Sequence, residues 1–198
     1  MEIIAVNGSG RRGGNCGEIA LSLFSCLQDL GLEGNYRVLE LADLCVQPCH
    51  DCNYQCFHSS CPLKDDAEEL IEAMYGADLV FLLAPTYGGL PPASLVALME
   101  RRQAYMDGLE LAKQFVVGIV LANAVGSETG EFTPEIVESW GSHWGAVKTA
   151  FLQIQPRDYQ ESSLQVGLAD NELVKRQLLK LAKEIVNYYV APGRTPGE

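Results

Sequence analysis

Short apolar runs alternate with longer amphipathic stretches along the whole chain. Ile3–Val6, Tyr36–Leu41, Asp78–Ala84, Phe115–Ala122 and Val147–Ile154 have the length and apolar density of strands. Asp78–Ala84 is nearly all apolar, as a strand covered on both faces should be. Between these runs the apolar positions recur at helical spacing. Ile19, Leu23, Leu27 and Leu30 mark a first helix, with Asn15 and Glu18 reading as its N-cap pair. Ala67, Leu70, Ile71 and Met74 share one face of a second helix predicted to begin at Asp65, with an acid three residues on at Glu68. Pro92 opens a third helix predicted to run to about Met106, and Thr133-Pro134 caps and opens a fourth that runs to about Trp144. Val174, Leu178, Leu181, Ile185 and Tyr188 predict a long closing helix. Strands alternating with helices in this way predict an α/β protein with a parallel sheet covered on both faces. In such sheets ligands bind outside the carboxyl ends of the strands, at the topological switch point. The loops after the first, third and fourth strands are therefore the places to look for chemistry.

The length of 198 residues suits one domain, read as residues 1–190, with a cysteine-rich loop at 45–64 and a tail at 191–198 expected to fray. Asp plus Glu total 26 against 14 Lys plus Arg, a net charge of −12. A surface this acidic repels nucleic acid and anionic membrane, so neither is expected as a partner. Apolar runs fall short of the roughly 20 residues that a membrane span needs. The N-terminus passes directly into a strand without a basic stretch, so no signal peptide is expected and the chain is assigned to the cytoplasm. Thiols stay reduced there, and five of the seven cysteines fall between Cys45 and Cys61. Metal or cluster ligation accounts for that crowding better than a disulfide framework does.

Gly8-Ser9-Gly10-Arg11-Arg12-Gly13-Gly14-Asn15 joins the first strand to the first helix. Its glycines let backbone N–H groups turn toward an anion, and the helix end adds a positive dipole. Ser9 and Asn15 supply side-chain hydrogen bonds, and Arg11 adds charge. A Walker loop is excluded because the required Gly-Lys-Ser/Thr ending is absent. Gly8, Gly10 and Gly13 match the dinucleotide pattern, with Glu40 as a candidate ribose acid, but a sixth strand for the second nucleotide half is missing. A mononucleotide phosphate in a five-stranded sheet is the third reading. A glycine-rich turn without ligand is the fourth.

The stretch Gly8-Ser9-x-Arg11-x-x-Gly14-Asn15 resembles the first loop of the NADPH-dependent FMN reductase family. The family usually follows the Asn with Thr or Ser, where this chain has Cys16. The loop after the third strand, Pro85-Thr86-Tyr87-Gly88-Gly89, matches the family's Pro-x-Tyr-x-Gly signature. Read physically, Pro sets the turn, the Gly pair allows close backbone approach, and Tyr87 offers an aromatic face. Arg101 or Arg102 stands where the family ends its third helix with an acid-Arg pair, and a structural role is expected of them. In the third loop, Asn123 replaces the family's glycines and is a weaker candidate for a ring or ribityl contact.

Cys49-x2-Cys52-x3-Cys56-x4-Cys61-Pro62 is the most informative stretch. Four thiols in one short loop can surround a compact iron–sulfur cube, because each reaches only one corner. Zinc and free thiols are the alternatives, since structural zinc sites usually separate two ligand pairs by a longer gap. His50 and His58 are read as solvated. The arrangement resembles the iron–sulfur flavoprotein branch of the same family, whose members follow Pro-Cys-x-x-Cys with further cysteines and an Asp-Asp pair, here Pro48-Cys49 and Asp65-Asp66. The interval between the second and third cysteines is usually two in that branch and is three in this chain.

The resemblance implies a flavodoxin-like three-layer α/β/α sandwich with strand order 2-1-3-4-5. It implies FMN held by Ser9, Arg11, Asn15, Cys16, Pro85, Thr86, Tyr87, Gly88 and Asn123, and a [4Fe–4S] cluster on Cys49, Cys52, Cys56 and Cys61. The expected activity is electron transfer from NAD(P)H or ferredoxin to a small acceptor, in a homodimer or homotetramer. No acid–base side chain is nominated, since the flavin would do the chemistry. The alternatives are a non-catalytic electron carrier, and an NAD(P)-binding or zinc-stabilised domain without flavin.

Overall fold

The computed structural model describes residues 1–105, 114–122, 132–161 and 165–190. Five parallel strands lie in the order β2-β1-β3-β4-β5. They are β1 (Glu2–Asn7), β2 (Asn35–Glu40), β3 (Leu79–Pro85), β4 (Phe115–Leu121) and β5 (Lys148–Ile154). The helices between and after them are α1 (Asn15–Asp29), α2 (Ala67–Gly76), α3 (Ala93–Arg101), α4 (Thr133–His143) and α5 (Glu172–Val190). This is the flavodoxin-like three-layer sandwich.

The two-residue period of the strands sorts the core into two layers. Ile3, Ala5, Phe81, Leu83, Val117 and Ile119 pack with Leu23 and Leu27 of α1 and with Leu178 and Ile185 of α5. Ile4, Val6, Val80, Leu82, Val116 and Val120 pack on the other side, with Leu70, Ile71 and Met74 of α2, Leu95 and Leu98 of α3, and Val137 and Trp140 of α4. Gly118 lets α4 approach β4 closely: a Cβ there would stand 3.1 Å from Val137 Cγ1 and 3.2 Å from Phe151 Cδ2. Among the described residues no helix is long and apolar enough to cross a membrane.

Several boundaries differ from expectation, each for a local reason. Gly14, in extended conformation, is the N-cap of α1, and it makes no side-chain cap bond. The expected pair of Asn15 and Glu18 does not form, because both side chains reach another loop. Asn15 Nδ2 donates to the Gln165 carbonyl at 2.8 Å, and its Oδ1 accepts the Leu168 N–H at 3.2 Å. Glu18 accepts the Gly167 N–H at 2.8 Å. Helix α2 starts two residues later than predicted, because Asp65 accepts the Ala67 N–H and turns its other oxygen to Gln47 and Arg101. Helix α3 ends at Arg101 and tightens into a 3-10 turn at Arg102–Tyr105, so the predicted end at Met106 lies outside the described residues. Phe132 caps α4, while the Thr133 hydroxyl donates to the Gly89 carbonyl at 3.3 Å. Residues 191–198 also lie outside the description.

Candidate functional site

The chain leaves β1 toward β2 on one side and returns to β3 on the other, so the switch point lies between the carboxyl ends of β1 and β3. The loops 8–14 and 85–91 meet there.

The first loop is shaped by its own side chains. Asn7 is fully buried at the end of β1. Its Oδ1 accepts the Ser9 N–H at 3.0 Å, and its Nδ2 donates to Glu40 at 2.7 Å. The Ser9 hydroxyl in turn accepts the Arg11 N–H at 3.1 Å. Gly8 donates to the Leu83 carbonyl at 2.9 Å, and a Cβ on it would stand 3.1 Å from that oxygen and from Leu95. Only glycine therefore lets the loop cross β3 and α3 this closely. Gly13 has φ of +61°, and a Cβ there would meet nothing, so the loop faces open space at its tip. Arg12 pairs with Asp43, in the short turn that follows β2. Arg11 lies along Gly14, whose Cβ would come within 3.3 Å of Arg11 Cδ.

Cys16 is buried in the first turn of α1, directly after the loop. Burial first, and the Glu40 carboxylate second, push its thiol up to about 12, against the opposing pull of Arg11. Burial and Asp43 also raise the Glu40 carboxyl, and the Asn7 hydrogen bond opposes them. The side chain of Asn15 is engaged at each end by residues 165 and 168. Asn15 also opens the helix end. Glu40, weighed as a ribose acid, instead holds Asn7.

The second loop begins where Pro85 ends β3. Thr86 donates its N–H to the Leu121 carbonyl, and Tyr87 and Leu90 form a backbone bridge. Gly88 and Gly89 take φ of +60° and +85°, which makes that tight turn affordable. The Tyr87 ring is half-exposed, and its hydroxyl accepts the Gly10 N–H at 3.3 Å. Ser9, Arg11, Cys16 and Pro85–Gly88 are thus gathered at one edge around open glycine positions. Asn123 lies outside the described residues.

The second candidate site is a cavity of about 180 Å³ between the cysteine loop and the end of α3. Cys49, Cys52, Cys56 and Cys61 all line it, with Pro62, Leu63, Glu100 and Arg101. All seven cysteines of the chain are free thiols. The loop is tightly coiled, with Asp51, Asn53 and Tyr54 all in the left-handed region, a conformation that costs about 1–3 kcal/mol per non-glycine residue. The Cys56 backbone N–H, and then its side chain, hold the Cys52 thiol below its ordinary value, while burial and Cys52 itself raise Cys56. Among the described residues no three His, Cys, Asp or Glu side chains converge on a point that one metal ion could occupy.

Glu100 escaped the sequence reading, whereas Arg101 takes the structural role expected of it or Arg102. Glu100 accepts the Cys49 N–H at 3.2 Å, and Arg101 reaches the Gln47 carbonyl at 3.2 Å and the Leu63 carbonyl at 3.5 Å. Their acid-Arg sequence was the available signal, but it did not point toward the cysteines. Helix α3 begins beside the Pro85–Gly89 loop, and its far end lines the cavity, roughly 12 Å along the axis at 1.5 Å per residue. The long connection between β2 and α2 allows this, and Arg101 anchors it there.

The model of the family described as NADPH-dependent FMN reductase matches residues 1–146. The chain belongs to the NADPH-dependent FMN reductase family. Within this family it falls in the iron–sulfur flavoprotein branch. It is 32% identical over 124 residues to an iron–sulfur flavoprotein of Methanocaldococcus jannaschii, a match covering 63% of each chain. It is 30% identical over 142 residues to the iron–sulfur flavoprotein of Methanosarcina thermophila, covering 71% of this chain and 72% of that one. Among solved structures, the NAD(P)H:quinone oxidoreductase of Methanothermobacter marburgensis superposes with a TM-score of 0.67 over 98% of both chains at 14% identity, a likeness of fold. The FMN reductase match includes both the switch-point loops and the whole cysteine loop.

Proposed function

We propose that this FMN reductase family member is an oxidoreductase that carries FMN at the switch point and a [4Fe–4S] cluster in the cysteine cavity. In this reading it passes electrons from a reduced donor, NAD(P)H or ferredoxin, to a small acceptor. The observation that carries it is the gathering of Cys49, Cys52, Cys56 and Cys61 around one cavity in a chain whose switch point offers an open, glycine-lined anion loop. A single zinc ion asks for donors that converge on one point, whereas a four-iron cube gives each thiolate its own iron.

The protein's part is binding and placement. Backbone N–H groups of loop 8–14, the α1 N-terminus and Arg11 would hold the phosphate. Tyr87, Gly88 and Thr86 would flank the ring, with Asn123 beside it. Bound FMN supplies exchange between two-electron and one-electron donors and acceptors. The carrier reading has its own support, because Cys49 is exposed and the cavity opens on the outer surface, where a redox protein or a second copy of the chain can dock.

The test is anaerobic purification followed by absorption spectroscopy, iron analysis and chromatography of the heat-released cofactor. The expected result is FMN together with a broad iron–sulfur absorption. Recovery of FAD, or of no flavin after reconstitution, overturns the FMN reading, and zinc as the sole bound metal overturns the cluster. NAD(P)H turnover with quinone or oxygen then separates enzyme from carrier.

A further inference from the structure

Arg101 is 2% exposed, and its ion pair with Asp65 is buried on both sides, Nη1 to Oδ2 at 2.8 Å. Two charges taken out of water this completely cost more than their attraction returns, unless the remaining hydrogen bonds are made. The two terminal nitrogens of the guanidinium make them, and to particular partners. Arg101 donates to the carbonyls of Gln47 and Leu63, which stand two residues before Cys49 and two residues after Cys61. Asp65 accepts the Gln47 N–H at 2.8 Å and the Ala67 N–H at 3.2 Å. One guanidinium therefore ties both ends of the cysteine loop to the end of α3. The same side chain lines the cysteine cavity, whereas Asp65 does not. Of the buried pair, the cationic residue is the one at the cysteine cavity.

From this arrangement we infer that Arg101 is the positioning residue of the cysteine cavity and that its charge sets the reduction potential of the group held there. The inference rests on the cluster reading above. Reducing a thiolate-bound cluster adds negative charge, which a neighbouring desolvated cation stabilises. Arg101 thus raises the potential, and Asp65, behind it, partly cancels the effect. The fork geometry closes the loop, and the charge tunes the centre. These two roles are separable, because lysine keeps the charge but not the fork.

The experiment is a potentiometric titration, followed by EPR, of the anaerobically reconstituted protein, with cluster loss to a chelator timed in parallel. Wild type is compared with Arg101→Gln, Arg101→Lys, Asp65→Asn and the surface control Arg157→Gln. Arg101→Gln should lower the potential and speed cluster loss by roughly tenfold or more, as removal of a supporting partner does at metal sites. Arg101→Lys should stay near the wild-type potential yet lose the cluster faster. Asp65→Asn should shift the potential upward, and the control should not move it. A role confined to folding predicts no opposite shifts from Arg101 and Asp65. Equal potentials in all loaded variants overturn the inference. If Arg101→Gln does not fold, the sign of the Asp65→Asn shift decides. A wild type that takes up no iron overturns the function reading itself, a result distinct from either.

Discussion

The Tyr87 hydroxyl accepts the Gly10 N–H at 3.3 Å, joining two loops that lie 77 positions apart in sequence. The bond spans the switch point between β1 and β3, so the candidate phosphate loop and the candidate ring-contacting loop hold each other in register. Tyr87→Phe keeps the ring and removes this bond. A neutral hydrogen bond is worth about 0.5–1.5 kcal/mol, so FMN binding should weaken by roughly two- to twelvefold in a fluorescence-quenching titration. Unchanged affinity would show that the glycine backbone holds the loop unaided.

Asn15 ties the start of α1 to residues 165 and 168 through both ends of its amide. In Asn15→Ala the buried Leu168 N–H loses its acceptor. The variant should unfold at lower urea concentration, with a loss of about 1–3 kcal/mol. A midpoint equal to wild type would mean that water replaces the amide at no cost.

The thiol of Cys16 titrates at its ordinary value of 9.0 in the unfolded chain and is pushed up to about 12 in the fold, by burial and then by Glu40. The folded state keeps a proton that the unfolded state releases. The stability arising from this difference is complete below the unfolded value and is lost as pH rises toward the folded one. The slope approaches about 1.4 kcal/mol per pH unit at most. Urea midpoints measured at increasing alkaline pH should therefore fall more steeply for wild type than for Cys16→Ala. Parallel slopes would contradict the assigned shift.

Cys56→Ser should abolish the iron–sulfur EPR signal of the reconstituted protein while FMN content stays at the wild-type level. The two candidate sites lie at opposite ends of α3 and share none of the side chains described at each. Stopped-flow reduction should show one-electron transfer slowed more than any reaction with NAD(P)H. Loss of FMN in this variant would show that the sites are coupled.

The strand–helix alternation, the parallel sheet and the two candidate loops were legible in the chain itself. Ile3–Val6 and Asp78–Ala84 are apolar enough for buried parallel strands, and the glycines of 8–14 and the spacing of Cys49 to Cys61 are local patterns. Only the tertiary structure decided where polar side chains find their partners. Asn15 and Glu18 read as a cap because a capping box is a local bond, but residues 165–168 offered an N–H to each of them and a C=O to Asn15. Glu40 read as a ribose acid because it ends β2, yet it faces Asn7 across the strand pair. Arg101 read as a helix-end residue, and it binds both ends of a loop 36 to 54 positions away. Periodicity reports which positions leave water, since burial depends on the face that a residue shares with its neighbours. A buried charge or amide must instead be satisfied by whichever group the fold brings within hydrogen-bond reach, and only three-dimensional packing determines that group.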